Sequence, residues 1–87
     1  MMDAEREVAA IQFGRNLQRY RRRAGLTQER LGYLTFLHRT EISLLERGHR
    51  EPRLGTIVKL ASALEVSLNM LIEGTGWTVE RPSIDES

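Results

Sequence analysis

An all-α domain of five short helices is the fold class that the sequence predicts. Three observations carry it. Apolar residues recur at spacings of three and four along the chain, and no segment alternates with period two. A glycine or a capping residue stands at most breaks in that pattern. Only two prolines, Pro52 and Pro82, interrupt the chain. With 87 residues, a single domain with a modest core is expected.

The elements follow in order. The first helix is expected over residues 4–24, capped by Asp3. Phe13, Leu17, Tyr20 and Ala24 form its buried stripe, and Gly25 ends it in a left-handed conformation. Thr27 is a good N-cap for a second helix, with Gln28 and Glu29 in its first turn and Leu31 and Leu34 pointing inward. Thr35-Phe36-Leu37 form a short connection. The third helix covers residues 39–47, with Ile42 and Leu45 in the core and Gly48 as its stop. A loop through Pro52 leads to a fourth helix starting at Arg53 or Leu54. Leu54, Ile57, Leu60, Ala61 and Leu64 form its apolar face. Ser67 caps a fifth helix holding Leu68, Leu71 and Ile72, closed by Gly74 and Gly76. Residues 1–12 thus extend the first helix, residues 13–73 form the domain proper, and residues 74–87 form a tail or a dimerisation arm.

Composition excludes several classes of function. There is no cysteine, so neither a disulfide framework nor a cysteine zinc site is possible. Two histidines, His38 and His49, are too few for a metal cluster, and no cofactor is expected. No nucleophile–base constellation suggests an enzyme. The apolar runs are far too short to cross a bilayer. The acidic start, Met1-Met2-Asp3-Ala4-Glu5-Arg6, lacks the order of a secretion signal. The protein is therefore expected to be soluble and cytoplasmic.

Charge is informative through its distribution. The net total is only +1, but residues 13–59 carry eleven arginines and lysines against four glutamates. Both flanks are acidic. A segregated basic centre suits a polyanionic partner. Only one of the thirteen basic residues is lysine. Arginine makes planar bidentate contacts with phosphates and guanine edges that lysine cannot make.

The second and third helices, joined by three residues, match a helix-turn-helix unit. The residues that carry a wider similarity are Leu17-Gln18-Arg19-Tyr20-Arg21, Gly25-Leu26-Thr27-Gln28-Glu29-Arg30-Leu31, Ile42-Ser43-Leu44-Leu45-Glu46-Arg47-Gly48, Pro52, and Leu60-Ala61-Ser62-Ala63-Leu64-Glu65-Val66-Ser67-Leu68. On these the chain resembles the XRE family, the helix-turn-helix domain of phage repressors, Cro proteins and many bacterial regulators. The resemblance spans about residues 13–73 and implies a compact five-helix, phage-repressor-like fold. It also implies double-stranded operator DNA as partner, with the third helix in the major groove.

Roles carried over by the resemblance are as follows. Gln28 opens the bracing helix and bonds either a phosphate or a neighbouring recognition side chain. Arg39 and Thr40 begin the recognition helix and reach base edges, arginine pairing best with guanine O6 and N7. Leu44, one turn on, either packs on a thymine methyl or belongs to the core. His38 and Ser43 are expected at phosphates. Arg47, Arg50 and Arg53 grip the backbone around the following loop, and Arg53 also suits a minor groove. Arg21 and Glu46 form a structural ion pair. A homodimer is implied, because one domain reads only a half-site. Met70, Leu71, Ile72 and Trp77 either form its interface or close the core.

Three departures from the family pattern stand out. Gly32 occupies a position that usually holds alanine, and Phe36 one that usually holds glycine. A bulky residue at positive φ is strained, so a different turn geometry is expected, with the Phe36 ring folded over Gly32. His38 replaces the usual Ser or Thr cap and is expected to cap less well. The leading functional reading is a homodimeric repressor. The alternative is an antitoxin that binds a partner protein through residues 79–87 and represses its own operon. A third is an interaction module without DNA binding.

Overall fold

The computed structural model describes residues 4–78. Among them are five helices: α1 (Ala4–Arg23), α2 (Gln28–Thr35), α3 (Arg39–Glu46), α4 (Leu54–Leu64) and α5 (Leu68–Ile72). Asp3 and residues 79–87 lie outside the described residues, as do the cap and the docking tail expected there. No helix among the described residues is long and apolar enough to cross a membrane.

One core draws on all five helices. Phe13, Leu17 and Tyr20 come from α1, Leu31 from α2, Ile42 and Leu45 from α3. Ile57, Leu60, Ala61 and Leu64 come from α4, and Leu71 and Ile72 from α5. Each fully buried Leu, Ile or Phe contributes about 1.5–3 kcal/mol relative to exposure. α1 packs across α3 and α5, while α2 lies against α3 and α4. Two backbones nearly touch where α1 crosses the end of α3. A Cβ on Gly14 would stand 2.4 Å from the Glu46 carbonyl oxygen.

The helices stop by a shared device. After α1, α2, α3 and α4 one residue turns left-handed, and the two N–H groups at the exit return to carbonyls of the last turn. The second of these bonds is Leu26 to Arg21, Leu37 to Gly32, His49 to Leu44 and Val66 to Ala61, at 2.9–3.1 Å. This is the Schellman arrangement, which satisfies carbonyls that a helix end leaves orphaned. Gly25 and Gly48 fill the left-handed position after α1 and α3. After α2 and α4 it is filled by Phe36 (φ 60°) and Glu65 (φ 58°), where a side chain is strained.

Several expectations are corrected here. Phe36 does adopt positive φ, and its ring is 92% exposed instead of covering Gly32. The turn leaves no space to cover, because a Cβ on Gly32 would already meet the Leu37 carbonyl at 2.4 Å. Leu34 and Leu54 are exposed, at 41% and 56%, and Ala24 lies beyond α1 on the surface. The hydrophobic contacts of α2 fall on Leu31, and those of α4 on the four residues from Ile57. Thr35 is the last residue of α2, its buried hydroxyl donating to the Leu31 carbonyl at 2.8 Å.

At the C-terminal end, α5 is held by a side chain from α1. Asn16 is buried, donates to the carbonyls of Leu71 and Glu73 at 2.8 Å each, and accepts from Gln12 at 2.9 Å. It thereby satisfies the orphan carbonyls of a helix only five residues long. Thr75 donates to the Ile72 carbonyl and accepts from the Trp77 N–H, turning the chain back toward α1. The Trp77 ring then packs against Phe13, with centroids 5.9 Å apart. Leu71 and Ile72 are therefore core residues and are not available to a dimer surface. Trp77 is half-buried on the same core, and of the four interface candidates only Met70 is exposed.

Candidate nucleic-acid interface

Thr27 begins α2 with its hydroxyl accepting from the Arg30 N–H at 3.0 Å, as a good N-cap does. His38 does the same for α3. Its Nδ1 accepts from the Thr40 N–H at 3.0 Å, so the imidazole caps the helix that it was expected to cap poorly. With Nδ1 occupied as an acceptor, the ring proton sits on Nε2. The αL residue Phe36 and the cap His38 stand one residue apart, which fixes the angle between α2 and α3. Close backbone contact at Gly32 fixes their separation.

A single carboxylate locks this unit onto α1. Arg21 Nε donates to Glu46 Oε2 at 2.5 Å and Nη2 to Oε1 at 3.0 Å, a bidentate pair. The Arg21 and Glu46 side chains are only 10% and 1% exposed. The remaining Arg21 nitrogen donates to the Leu26 carbonyl at 2.8 Å. Gln28 Nε2 also donates to Glu46 Oε1, at 3.0 Å, and Gln18 Nε2 does so at 3.4 Å. Glu46 therefore ties together α1, the start of α2 and the end of α3. The expected ion pair is present, and Gln28 belongs to its network. No buried side-chain polar atom lacks a partner among the described residues.

The opposite side of α3 is open. Ile42, Leu45 and Glu46 face inward, while Arg39, Thr40 and Arg47 are exposed and Ser43 and Leu44 are half-buried. At 100° per residue these five share one face. Leu44 is neither fully core nor fully free, which leaves an apolar surface beside the hydroxyls of Thr40 and Ser43. The Arg47 guanidinium folds back along the helix, Nε reaching the Ser43 carbonyl at 3.4 Å. α3 is eight residues long, roughly 12 Å, and the diameter of an α-helix with its side chains, about 10–12 Å, fits a major groove about 12 Å wide.

Past α3, Arg50 and Arg53 are exposed and line one polar cleft with Glu41, Glu51, Pro52 and Thr56. Arg53 is the residue before α4, and its guanidinium, which has no acceptor, cannot cap that helix. Arg50 is committed in part: Nη1 donates to Glu41 Oε1 at 2.8 Å. The exposed face of α3 and this arginine-rich loop are contiguous in the chain. The structure thus places Arg39, Thr40, Ser43, Leu44 and Arg47 on one face of α3, with His38 as its N-cap and Arg50 and Arg53 in the cleft that Glu41 also lines. Gln28 reaches the same unit through Glu46.

Four residues that shape this site were not anticipated. Glu41 holds Arg50, Gln18 joins the Glu46 network, Gly14 sets the approach of α1 to α3, and Glu65 closes α4. Only Gly14 carried a signal, a glycine inside a long helical pattern.

The chain matches the model of a helix-turn-helix domain family over residues 12–72. It is 39% identical over 66 residues to the control protein C.SmaI of Serratia marcescens, covering 76% of this chain and 79% of that protein. The crystal structure of the restriction-modification controller protein C.AhdI from Aeromonas hydrophila superposes with a TM-score of 0.72 at 38% identity. The match covers 74% of this chain and 97% of that one. The P22 c2 repressor, solved in complex with a synthetic operator, gives a TM-score of 0.67 at 27% identity, over 71% of this chain and 94% of the repressor chain.

Proposed function

Because the chain belongs to the helix-turn-helix domain family, we propose that it is a sequence-specific double-stranded DNA-binding regulator of transcription, acting as a homodimeric repressor. One observation carries the reading. α3 presents Arg39, Thr40, Ser43, Leu44 and Arg47 on one open face while its other face is locked by Ile42, Leu45 and Glu46. A locked helix keeps a fixed register in the groove, which base readout requires.

In this reading Arg39 pairs with a guanine and Thr40 reads the adjacent base edge. Leu44 packs on a thymine methyl. His38 Nε2–H, Ser43, Arg47, Arg50 and Arg53 hold phosphates, which set register without reading sequence. Gln28 contributes through the Glu46 network and through its position in the first turn of α2, where backbone N–H groups attract anions. Homodimerisation supplies the second reader, about one DNA turn away.

A narrower reading is favoured by C.AhdI, matched over 97% of its length. On that basis the chain is a controller of a restriction-modification gene set. The antitoxin reading rests on residues 79–87, outside the described residues. The gene beside this one separates the two: a restriction endonuclease or methyltransferase for the first, a toxin for the second.

Selection of bound sequences from random DNA, followed by a salt titration, tests the function itself. A two-fold symmetric motif is expected, with affinity falling steeply and linearly on a log–log salt plot. Binding without sequence enrichment overturns it.

A further inference from the structure

The recognition helix carries one acidic residue at the edge of its open face, and the roles above do not use it. Glu41 lies in the first turn of α3, between Leu44, roughly 60° away around the helix, and buried Leu45, roughly 40° away on the other side. Its side chain is 26% exposed and points to the loop after the helix, where Oε1 accepts from Arg50 Nη1 at 2.8 Å. No hydrogen bond is made to its Oε2 among the described residues. Glu41 thus stands between the base-facing residues of α3 and the loop arginines.

A carboxylate is an unlikely neighbour for DNA unless it is neutralised or reads a donor. Phosphates repel it, and guanine O6 and N7 and thymine O4 offer it only acceptors. Two amino groups face the major groove, N6 of adenine and N4 of cytosine; the adenine one sits beside the acceptor N7, which repels a carboxylate, so N4 of cytosine suits it best. Arg50 supplies the neutralisation while keeping Nε and Nη2 free to face a phosphate.

We propose that Glu41 is a specificity-determining residue that accepts a hydrogen bond from the N4 amino group of a cytosine, and that Arg50 is its positioning residue, bridging it to the DNA backbone. The inference rests on the DNA-binding reading given above and deepens it. Arg50 is then more than one phosphate contact among several. Without it the carboxylate is left unneutralised beside the phosphates. Without Glu41, Arg50 is an ordinary cation.

Sequence selection with the full chain and its Glu41→Gln and Glu41→Ala variants tests the first half. The parent motif should hold a cytosine at one position of each half-site. Glutamine pairs best with adenine N6 and N7, so Glu41→Gln should move that position from cytosine to adenine, with a change in relative preference of about ten-fold. Glu41→Ala should leave that position degenerate and every other position unchanged. Binding of a fixed, non-cognate duplex by Arg50→Ala and by the Glu41→Ala/Arg50→Ala pair tests the second half. Arg50→Ala alone should bind about ten-fold more weakly than the parent, roughly the effect of one lost charged contact, and the pair should recover most of that loss. Thermal melts of each variant confirm that the fold is intact.

If the parent enriches a motif and both Glu41 variants enrich the same one with equal discrimination, the Glu41 assignment is overturned while the DNA-binding reading stands. If the paired substitution binds no better than Arg50→Ala, the bridging role fails. If the parent enriches nothing, the DNA-binding reading falls, and this inference with it.

Discussion

Replacing Glu46 with alanine is the most direct test of how this fold holds the open face of α3. The substitution removes a carboxylate whose side chain is 1% exposed and leaves the Arg21 guanidinium, 10% exposed, without a counter-charge. Breaking one partner of a buried ion pair costs about 3–5 kcal/mol, far more than the pair itself contributes. Gln28 and Gln18 lose their acceptor at the same time, although both are half-exposed and turn to water. A domain of this size has roughly 4–13 kcal/mol in total at about 0.05–0.15 kcal/mol per residue. The loss is therefore a large fraction of the whole. At about 4–8 °C per kcal/mol, the melting temperature should fall by at least about 12 °C. Circular dichroism during heating and urea titration measures this, and an unchanged urea slope shows that compactness is preserved. A Glu46→Gln variant keeps the shape and one acceptor but also strands the Arg21 charge, so it should recover only the hydrogen-bonding share of the loss, about 1–3 kcal/mol. The double change Arg21→Met/Glu46→Leu removes both charges and should recover most of the stability. A Glu46→Ala protein melting within about 4 °C of the parent refutes the reasoning. It refutes it most plainly if DNA binding is nonetheless lost, because Glu46 would then be a binding residue.

Four further substitutions separate backbone strain, close approach and base reading. Phe36→Asn should stabilise the fold by about 1 kcal/mol in the same melts, since asparagine tolerates the left-handed region better than phenylalanine; a loss of stability would mean that the exposed ring contributes contacts exceeding the strain. Gly32→Ala gains about 1 kcal/mol of helix propensity but puts a Cβ 2.4 Å from the Leu37 carbonyl oxygen. Overpacking costs about 1–3 kcal/mol, so a net drop in the urea midpoint is expected, and a rise would show that α2 and α3 separate easily. Arg39→Ala should weaken operator binding by about 1–3 kcal/mol and relax one base position, whereas Arg47→Ala should weaken all sequences alike and lower the salt slope by about one. Equal behaviour of the two variants in a binding titration counts against base readout by Arg39.

Most of the architecture is readable from local chemistry. Thr27 and Ser67 cap helices, Gly25 and Gly48 end them, and the inward residues of α1 and α3 follow from spacing alone. These signals act over three to five residues, so one sequence window contains them. What escaped reading depends on distance. Asn16 bonds residues 55 and 57 positions away, and Gly14 matters only because α3 passes over it. Leu71 and Ile72 look alike as core or as interface until the fold closes over them. Phe36 shows the limit from the other side. Its strain was foreseen, but the Schellman bonds at that turn and the backbone contact at Gly32 leave the chain no other course. Strain at one residue is outweighed by bonds at its neighbours. Of the candidate interface, the arginines are visible as charge, while the hold of Glu41 on Arg50 needs two residues nine apart to be seen together.

The bond from Asn16 to the end of α5 has a consequence for motion. A five-residue helix has no standing of its own in water. Apart from side-chain packing, α5 is attached through one amide that reaches two carbonyls. When the Asn16 bonds break, the helix and the turn after it lose their polar anchor together, while the hydrogen bonds of the Glu46 network are untouched. The amides of α5 and the turn after it should therefore exchange with solvent sooner than those of α2 and α3, which native-state hydrogen exchange checks. A domain built this way can loosen at its C-terminal end while the hydrogen bonds that hold α3 stay in place.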